Sequence, residues 1–308
     1  MENLPIQDAE RNLAAKRSTL ISVVINIILS VLQLVVGIFA KSQALVADAI
    51  HSLSDLVADG IVLFANKHSA KAPDAKHPYG HRRFETAATL AVGVLLLIVG
   101  IGMLWRSFSK LQDPGLIEMV HLIALPVALL ALVVKELLFK YMLRVAKRVR
   151  STMLAANAWH ARSDAASSLV VAVAIVANIM GFPIADPLAA LVVGLIIFRM
   201  GWRFFIEAFK DLMDRAVDDE TEAKIEKLLL ETPGLYGIHD LKTRKLGDMI
   251  WVEVDLEMDS SISIAEGHDI AEKARKRVME ALPVLEVMTH FDPIDIKHGA
   301  GEGNRTLD

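Results

Sequence analysis

The chain has 308 residues, 54% hydrophobic and 23% charged, with no cysteine and a formal net charge of −4. A mean hydropathy of +0.42 exceeds what a soluble core of this length needs, and most charges gather in 212–298, so a membrane domain followed by a soluble one is expected. Without cysteine there are no disulfides or thiolate metal sites, and the negative balance speaks against a nucleic-acid partner.

Residues 1–17 are polar and mixed in charge, with no apolar core or cleavage site. They are expected to form a cytoplasmic segment rather than a signal peptide. Six apolar stretches follow, at about 18–40, 43–66, 87–109, 116–139, 152–180 and 185–207, each long enough to cross a bilayer as a helix. Together they predict a six-span domain over 18–211. Lys67, Lys71, Lys76, Arg82 and Arg83 lie between spans 2 and 3, and Lys140, Arg144, Lys147, Arg148 and Arg150 between spans 4 and 5. The opposite side carries little beyond Lys41, Arg106 and Lys110. The bias places both termini in the cytoplasm of a multi-pass inner-membrane protein.

The soluble part, 212–298, reads α-β-β-α-β: a helix at 218–232, strands near 235–245 and 250–258, a helix at 263–281 and a strand at 284–291. Ile250, Val252, Val254, Leu256 and Met258 alternate with polar residues, the pattern of a half-buried strand. The expected fold class is an all-α membrane domain plus an α+β domain of the ferredoxin-like, metallochaperone kind, with helices on one face of its sheet. Residues 299–308 are expected to be disordered.

Spans 2 and 5 are interrupted by polar residues at helical spacing. Span 2 carries Asp48, His51, Asp55 and Asp59, and span 5 carries Asn157, His160, Asp164 and Ser168. Span 1 adds a milder stripe of Asn26, Ser30 and Gln33. A carboxylate near the middle of a bilayer costs on the order of 2.5–3.5 kcal/mol on insertion scales. A bound cation removes that cost. Neither span offers an obvious Lys or Arg partner except Arg162, on another face; Lys135 and Glu136 in span 4 enter no motif. The repeated unit is His-x-x-x-Asp, His51 with Asp55 and His160 with Asp164. With 10 histidines and 37 acidic residues, chance gives about one His-x-x-x-acid pair, whereas here two stand in interrupted apolar spans. A step of four sets both side chains on one helical face. Two imidazoles and two carboxylates suit tetrahedral zinc, with Fe²⁺, Co²⁺ and Mn²⁺ as alternatives.

The segments ADAIHSLSD (47–55), HPYGHRRFE (77–85) and NAWHARSD (157–164), with the histidine-bearing tail, resemble the cation diffusion facilitator family of proton-coupled metal transporters. The resemblance runs from span 1 to about Pro293 and implies a homodimer that exports a cytoplasmic divalent metal in exchange for protons. It places the transport site on His51, Asp55, His160 and Asp164. Histidine at both first positions is the pattern of zinc carriers, while loops like HPYGHRRFE also occur in members associated with iron. The resemblance implies a loop site of Asp74, His77 and His81, although Pro78 and Gly80 predict a turn there rather than a helix. It implies a tail site of His239, Asp255, His268, His290 and Asp292, with Asp240 and Asp269 as neighbouring substitutes. Asp255 replaces a histidine of the zinc-binding pattern, and its harder oxygen lowers the expected zinc affinity or ion count. Arg83 and Asp214 match a charge interlock between membrane and soluble domains. His68, His121 and His298 enter no motif. The expected substrate is zinc, with Fe²⁺, Mn²⁺, Co²⁺ or Cd²⁺ as further ions and protons as counter-ion; no catalysis is expected. The alternatives are a ferrous-iron or manganese exporter with the same site, and a non-transporting membrane metal sensor or assembly protein.

Overall fold

The computed structural model describes residues 4–113, 115, 117, 119–149 and 151–295. Six long helices lead: α1 (Leu4–Phe39), α2 (Gln43–Ser69), α3 (Arg83–Gln112), α4 (Ala124–Val149), α5 (Thr152–Ile179) and α6 (Ala185–Leu212). The tail follows as α7 (Asp219–Leu230), β1 (Gly237–Leu246), β2 (Met249–Asp259), α8 (Ile264–Ala281) and β3 (Val284–Ile294). Among the described residues the chain forms two compact units, one holding the chain up to Phe64 with Thr89–Ile206, the other Ala65–Ala88 with the chain from Glu207 onward. The expected tail beyond 298, and His298, lie outside the described residues.

In the helical unit, α1, α3, α5 and α6 contain segments long and apolar enough to cross a membrane. α2 and α4 are of similar length, 27 and 26 residues, but carry acids or lysines along their interiors. α1 begins at Leu4, so helix already runs through most of the segment before span 1. α4 begins at Ala124 rather than near 116. Ahead of it the backbone N–H groups are given to other elements: Val120 donates to the Asn178 side-chain oxygen at 2.9 Å and His121 to the Ala40 carbonyl at 3.0 Å. Pro126 then falls in the first turn of the helix, where no N–H is needed.

Close packing of α3 on α6 depends on glycine. A Cβ on Gly93 would stand 2.6 Å from the Phe205 nitrogen, and one on Gly100 2.8 Å from the Phe198 Cα. Small residues at such spacing let helix backbones approach where lipid offers no hydrophobic drive. The start of α2 is held by Asp186 of α6, which accepts the Ser42 hydroxyl at 2.6 Å and the Gln43 and Ala44 N–H groups at 2.7 and 3.3 Å. That carboxylate completes the orphan donors of a helix N-terminus.

In the second unit, β2 is central, antiparallel to β1 and parallel to β3. Its alternation is complete: Ile250, Val252, Val254, Leu256 and Met258 are buried, and the residues between them are half exposed. The buried row packs with Ile225 and Leu229 of α7 and Ala271, Ala274 and Val278 of α8. Asp218 caps α7, and Ser263 with Glu266 forms a capping box on α8. The segment between α2 and α3 joins this unit, with Arg82 on Asp248 at 3.0 Å and the Glu85 carboxylate accepting from Ser69 and from the Asp248 N–H.

Candidate metal sites

Three clusters of imidazole and carboxylate stand out among the described residues: His51, Asp55 and Asp164 in the helical unit, then Asp74, His77 and His81, and His239, Asp240 and Asp255 in the other.

In the first, helical periodicity sets His51 above Asp55 on α2, Nδ1 to Oδ2 at 3.5 Å, and α5 brings Asp164 beside them. The His51 Nδ1 and Asp55 Oδ2 atoms are buried without a hydrogen-bond partner. An unsatisfied buried donor or acceptor is costly, so such a pair needs a further partner. His160 stands apart from this compact trio: its ring is 59% exposed and its Nε2 lies 4.0 Å from Asp164. A cavity of about 140 Å³ opens beside the group, lined by Asp55, Asp59, His160 and Asp164 with Asn26 of α1 and Asn157 of α5.

Asp48 departs from the expected stripe. It is fully buried and paired with Lys135 of α4 at 3.2 Å. It also accepts from Gln33 at 2.6 Å, Ser167 at 3.1 Å and Ser168 at 2.7 Å. The Lys135 ammonium donates in addition to Ser52 at 3.2 Å and Ser168 at 2.8 Å. Spans 2 and 5 themselves supply no cation for Asp48; the partner that spacing within them did not reveal arrives from a third helix, α4. Ser168 likewise belongs to this network. A lysine midway along an apolar helix was the available signal, since an intramembrane cation seeks a buried partner. Arg162 instead stacks on Phe139 and Trp159, at 4.9 and 5.3 Å from the ring centres.

The second cluster is built by a turn. The Asp74 carboxylate accepts the backbone N–H groups of Lys76 and His77 at 2.8 and 2.7 Å, and Gly80 takes φ 81° to bring the chain round. His77 Nδ1 and His81 Nε2 both lie 3.4 Å from Asp74, with the two rings 4.5 Å apart. The hydrogen bonds from His77 and Lys76 hold the Asp74 carboxyl below its ordinary pKa, keeping it an anion. His81 is buried and its Nδ1 has no hydrogen-bond partner.

The third cluster follows from strand register. His239, Asp255 and His290 are direct cross-strand neighbours on β1, β2 and β3. A bulge after His239, with Asp240 at φ 50°, turns the Asp240 carboxylate back to within 3.7 Å of the ring. His239 Nε2 lies 2.7 Å from Asp292, which His290 approaches at 3.4 Å. Partial desolvation lowers the His239 pKa, but Asp292 and Asp255 outweigh it and the net shift is upward. His268 and Asp269 stand exposed on α8, which packs on the other face of the sheet, so within one chain they lie apart from this row. Arg83 at the start of α3 pairs with Asp214, both sides about half exposed, and Arg244 approaches the same acid at 3.9 Å.

The family model described as "Cation efflux transmembrane domain" matches residues 19–213, and "Cation efflux protein, cytoplasmic domain" matches 217–294. Metal tolerance protein 2 of Oryza sativa subsp. japonica is 34% identical over 90% of this chain and 78% of its own length. Magnetosome protein MamB of Paramagnetospirillum magneticum is 34% identical over 81% of this chain and 84% of its own. Manganese efflux system protein MneS of Bacillus subtilis is 31% identical over 90% and 95%.

Proposed function

The chain belongs to the cation diffusion facilitator family of divalent-metal efflux transporters, and from that premise we propose that it exports zinc from the cytoplasm in exchange for protons. It is a membrane transporter and not an enzyme. The proposed ligands are His51, Asp55, His160 and Asp164. The observation that carries them is the unsatisfied pair His51 Nδ1 and Asp55 Oδ2, buried beside Asp164 at the end of a polar cavity. His160, at the cavity mouth, is the fourth donor by its 4.0 Å approach to Asp164. Two imidazoles and two carboxylates match the donor preference of zinc.

Exchange follows from shared ligands. Metal needs neutral imidazole and ionised carboxylate, so its binding expels protons, and protonation expels it. An unperturbed imidazole titrates at about pH 6.5, close enough to neutrality for a modest gradient to drive the swap. The glycine-tight α3–α6 pair would act as the fixed body against which α1, α2, α4 and α5 rock. Both termini, with the Asp74 and His239 clusters, would face the cytoplasm of the cell membrane, as the excess of lysine and arginine between α2 and α3 and between α4 and α5 supports. We take the loop and tail clusters as regulatory metal sites of a homodimer, His268 belonging to the set as the family resemblance implies, and Arg83–Asp214 as the interlock between domains. Metal in the tail and metal in transit then bias each other's affinity by the same factor.

Manganese is the second candidate ion, favoured by the likeness to a protein named for manganese efflux; ferrous iron would use the same donors. The test is metal flux in proteoliposomes under an imposed pH gradient, with zinc, manganese and ferrous iron in competition and Asp164→Ala as control. Zinc-preferring, gradient-dependent flux that Asp164→Ala abolishes supports the proposal. Flux preferring manganese or iron replaces the ion, and no flux in either protein leaves a metal sensor.

A further inference from the structure

Along the stripe of α2 that carries its acids and His51, accessibility falls in one direction. Asp59 is exposed, Asp55 half-buried, His51 6% exposed and Asp48 0%. On α1, half-buried Asn26 on the cavity wall is followed by Ser30 and Gln33, both fully buried. The cavity enters from the end where α2 finishes and α5 begins, and its lining on α2 stops at Ser52. One helical turn beyond, the Asp48 carboxylate collects Gln33 of α1, Lys135 of α4 and Ser167 and Ser168 of α5. Four helices converge on one anion. The cluster touches the cavity through Ser52, which lines it and meets Lys135 at 3.2 Å.

We propose that the Asp48–Lys135 pair, with Gln33, Ser167 and Ser168, is the external gate of the transport path, closed while the site is open to the cytoplasm and parted to let the ion leave. The assignment rests on the transport proposal and its orientation. Two physical properties fit a gate. An ion pair is strong where water is excluded and weak once water arrives, so entry of the first waters loosens the contact that kept them out. The Lys135 ammonium also repels a divalent cation, so the closed gate is an electrostatic barrier as well as a steric one. Either residue left alone in the dry state is a stranded charge, and hydration in an outward-open state relieves it.

The chain has no cysteine, so a single introduced thiol reports without background. Ser30→Cys places it between the cavity wall at Asn26 and the gate at Gln33, at a buried hydroxyl with no hydrogen-bond partner. Full-length protein in proteoliposomes of defined orientation is treated with a membrane-impermeant thiol reagent from one face at a time. An outward state populated at about 0.1–10% is raised when the gate is broken, so Lys135→Gln and Asp48→Asn should each speed external labelling by about tenfold or more. The pair Asp48→Asn with Lys135→Gln, which strands no charge, should return toward the slow rate. Ser168→Ala, which removes one contact from each partner and leaves both charges, gives an intermediate rate and serves where a charge variant fails to fold. Labelling from the cytoplasmic face should stay unchanged throughout. External labelling indifferent to these substitutions overturns the gate, as does an equal rise from both faces. Zinc flux measured on the same vesicles judges the transport proposal separately, since labelling requires no transport.

Discussion

Replacing Asp48 or Lys135 one at a time, then together, measures how the buried carboxylate of α2 is neutralised. The side chains are 0% and 3% exposed, and Asp48 takes hydrogen bonds from four residues. Removing one partner of such a pair leaves an uncompensated charge in a dry site and costs about 3–5 kcal/mol. Asp48→Asn alone strands the ammonium with two serines, and Lys135→Met alone strands the carboxylate with Gln33, Ser167 and Ser168. The double variant strands neither, and its loss should fall well short of the sum, with a coupling of about 3 kcal/mol. For roughly 200 cooperative residues each kcal/mol moves the midpoint by about 2–4 °C, so each single change should lower Tm by on the order of 10 °C in detergent. The same scans with added zinc separate structure from transport: the zinc-induced rise should keep its wild-type size in the double variant and shrink in Asp55→Ala, which leaves the loop and tail clusters intact. Single variants within about 1 kcal/mol of wild type, or a double variant equal to the sum, would refute the pairing. A zinc-induced rise that shrinks as much on replacing Asp48 as in Asp55→Ala would return Asp48 to the ligand set.

Asp74→Asn keeps an oxygen for the Lys76 and His77 N–H groups but removes the charge between His77 and His81. Zinc bound per chain, read by native mass spectrometry, should fall by one while zinc flux persists; unchanged stoichiometry would rule the loop out as a site. The raised His239 pKa gives a pH dependence of defined sign. Its stabilisation is complete below the unfolded value of about 6.5 and fades as pH rises through the higher folded value. The metal-free protein should lose thermal stability as pH rises above about 6.5, and His239→Gln should lose less; parallel curves would dismiss the charge cluster. Gly100→Leu forces a side chain against the Phe198 backbone and should cost about 1–3 kcal/mol, read as a lower Tm; wild-type stability would show that α3 and α6 are not backbone-tight.

Much of the fold was legible because each element obeys one period. β2 alternates without exception, and α7 and α8 start at the capping residues Asp218 and Ser263. Six long helices match the six apolar stretches, but the start of α4 was not legible, because side-chain and carbonyl partners from α5 and the α1–α2 turn decide where its helix can begin. The candidate sites divide the same way. His51 with Asp55 is local in sequence and readable from spacing, whereas Asp74, His77 and His81 are local too but were grouped by the family resemblance and are brought together by a turn. His239, Asp255 and His290 need strand register to meet, and Asp48 with Lys135 needs the packing of α2 on α4, which no spacing within one span records.

Buried Asp48 and Asp186 and half-buried Asp55 and Asp164 spend their charge in three ways, and the comparison bears on where a cation belongs. Asp186 spends its charge on the hydroxyl and N–H groups at the start of α2, a demand that any helix N-terminus makes. Asp48 spends its charge on Lys135. Asp55 and Asp164 have neither a helix end nor a lysine within ion-pair distance among the described contacts, and the nearest nitrogens belong to His51 and His160, neutral in any state that holds metal. When both carboxylates are ionised they carry a charge of −2 with no fixed counter-charge of their own, and Coulomb repulsion between them grows as water is excluded. A divalent cation cancels that charge in one step and two protons cancel it in another, whereas a single proton leaves it half done. That charge balance is what the proposed exchange of a divalent ion for protons requires of its ligands, and the Asp48–Lys135 pair, already neutral, is left to the gate role proposed for it.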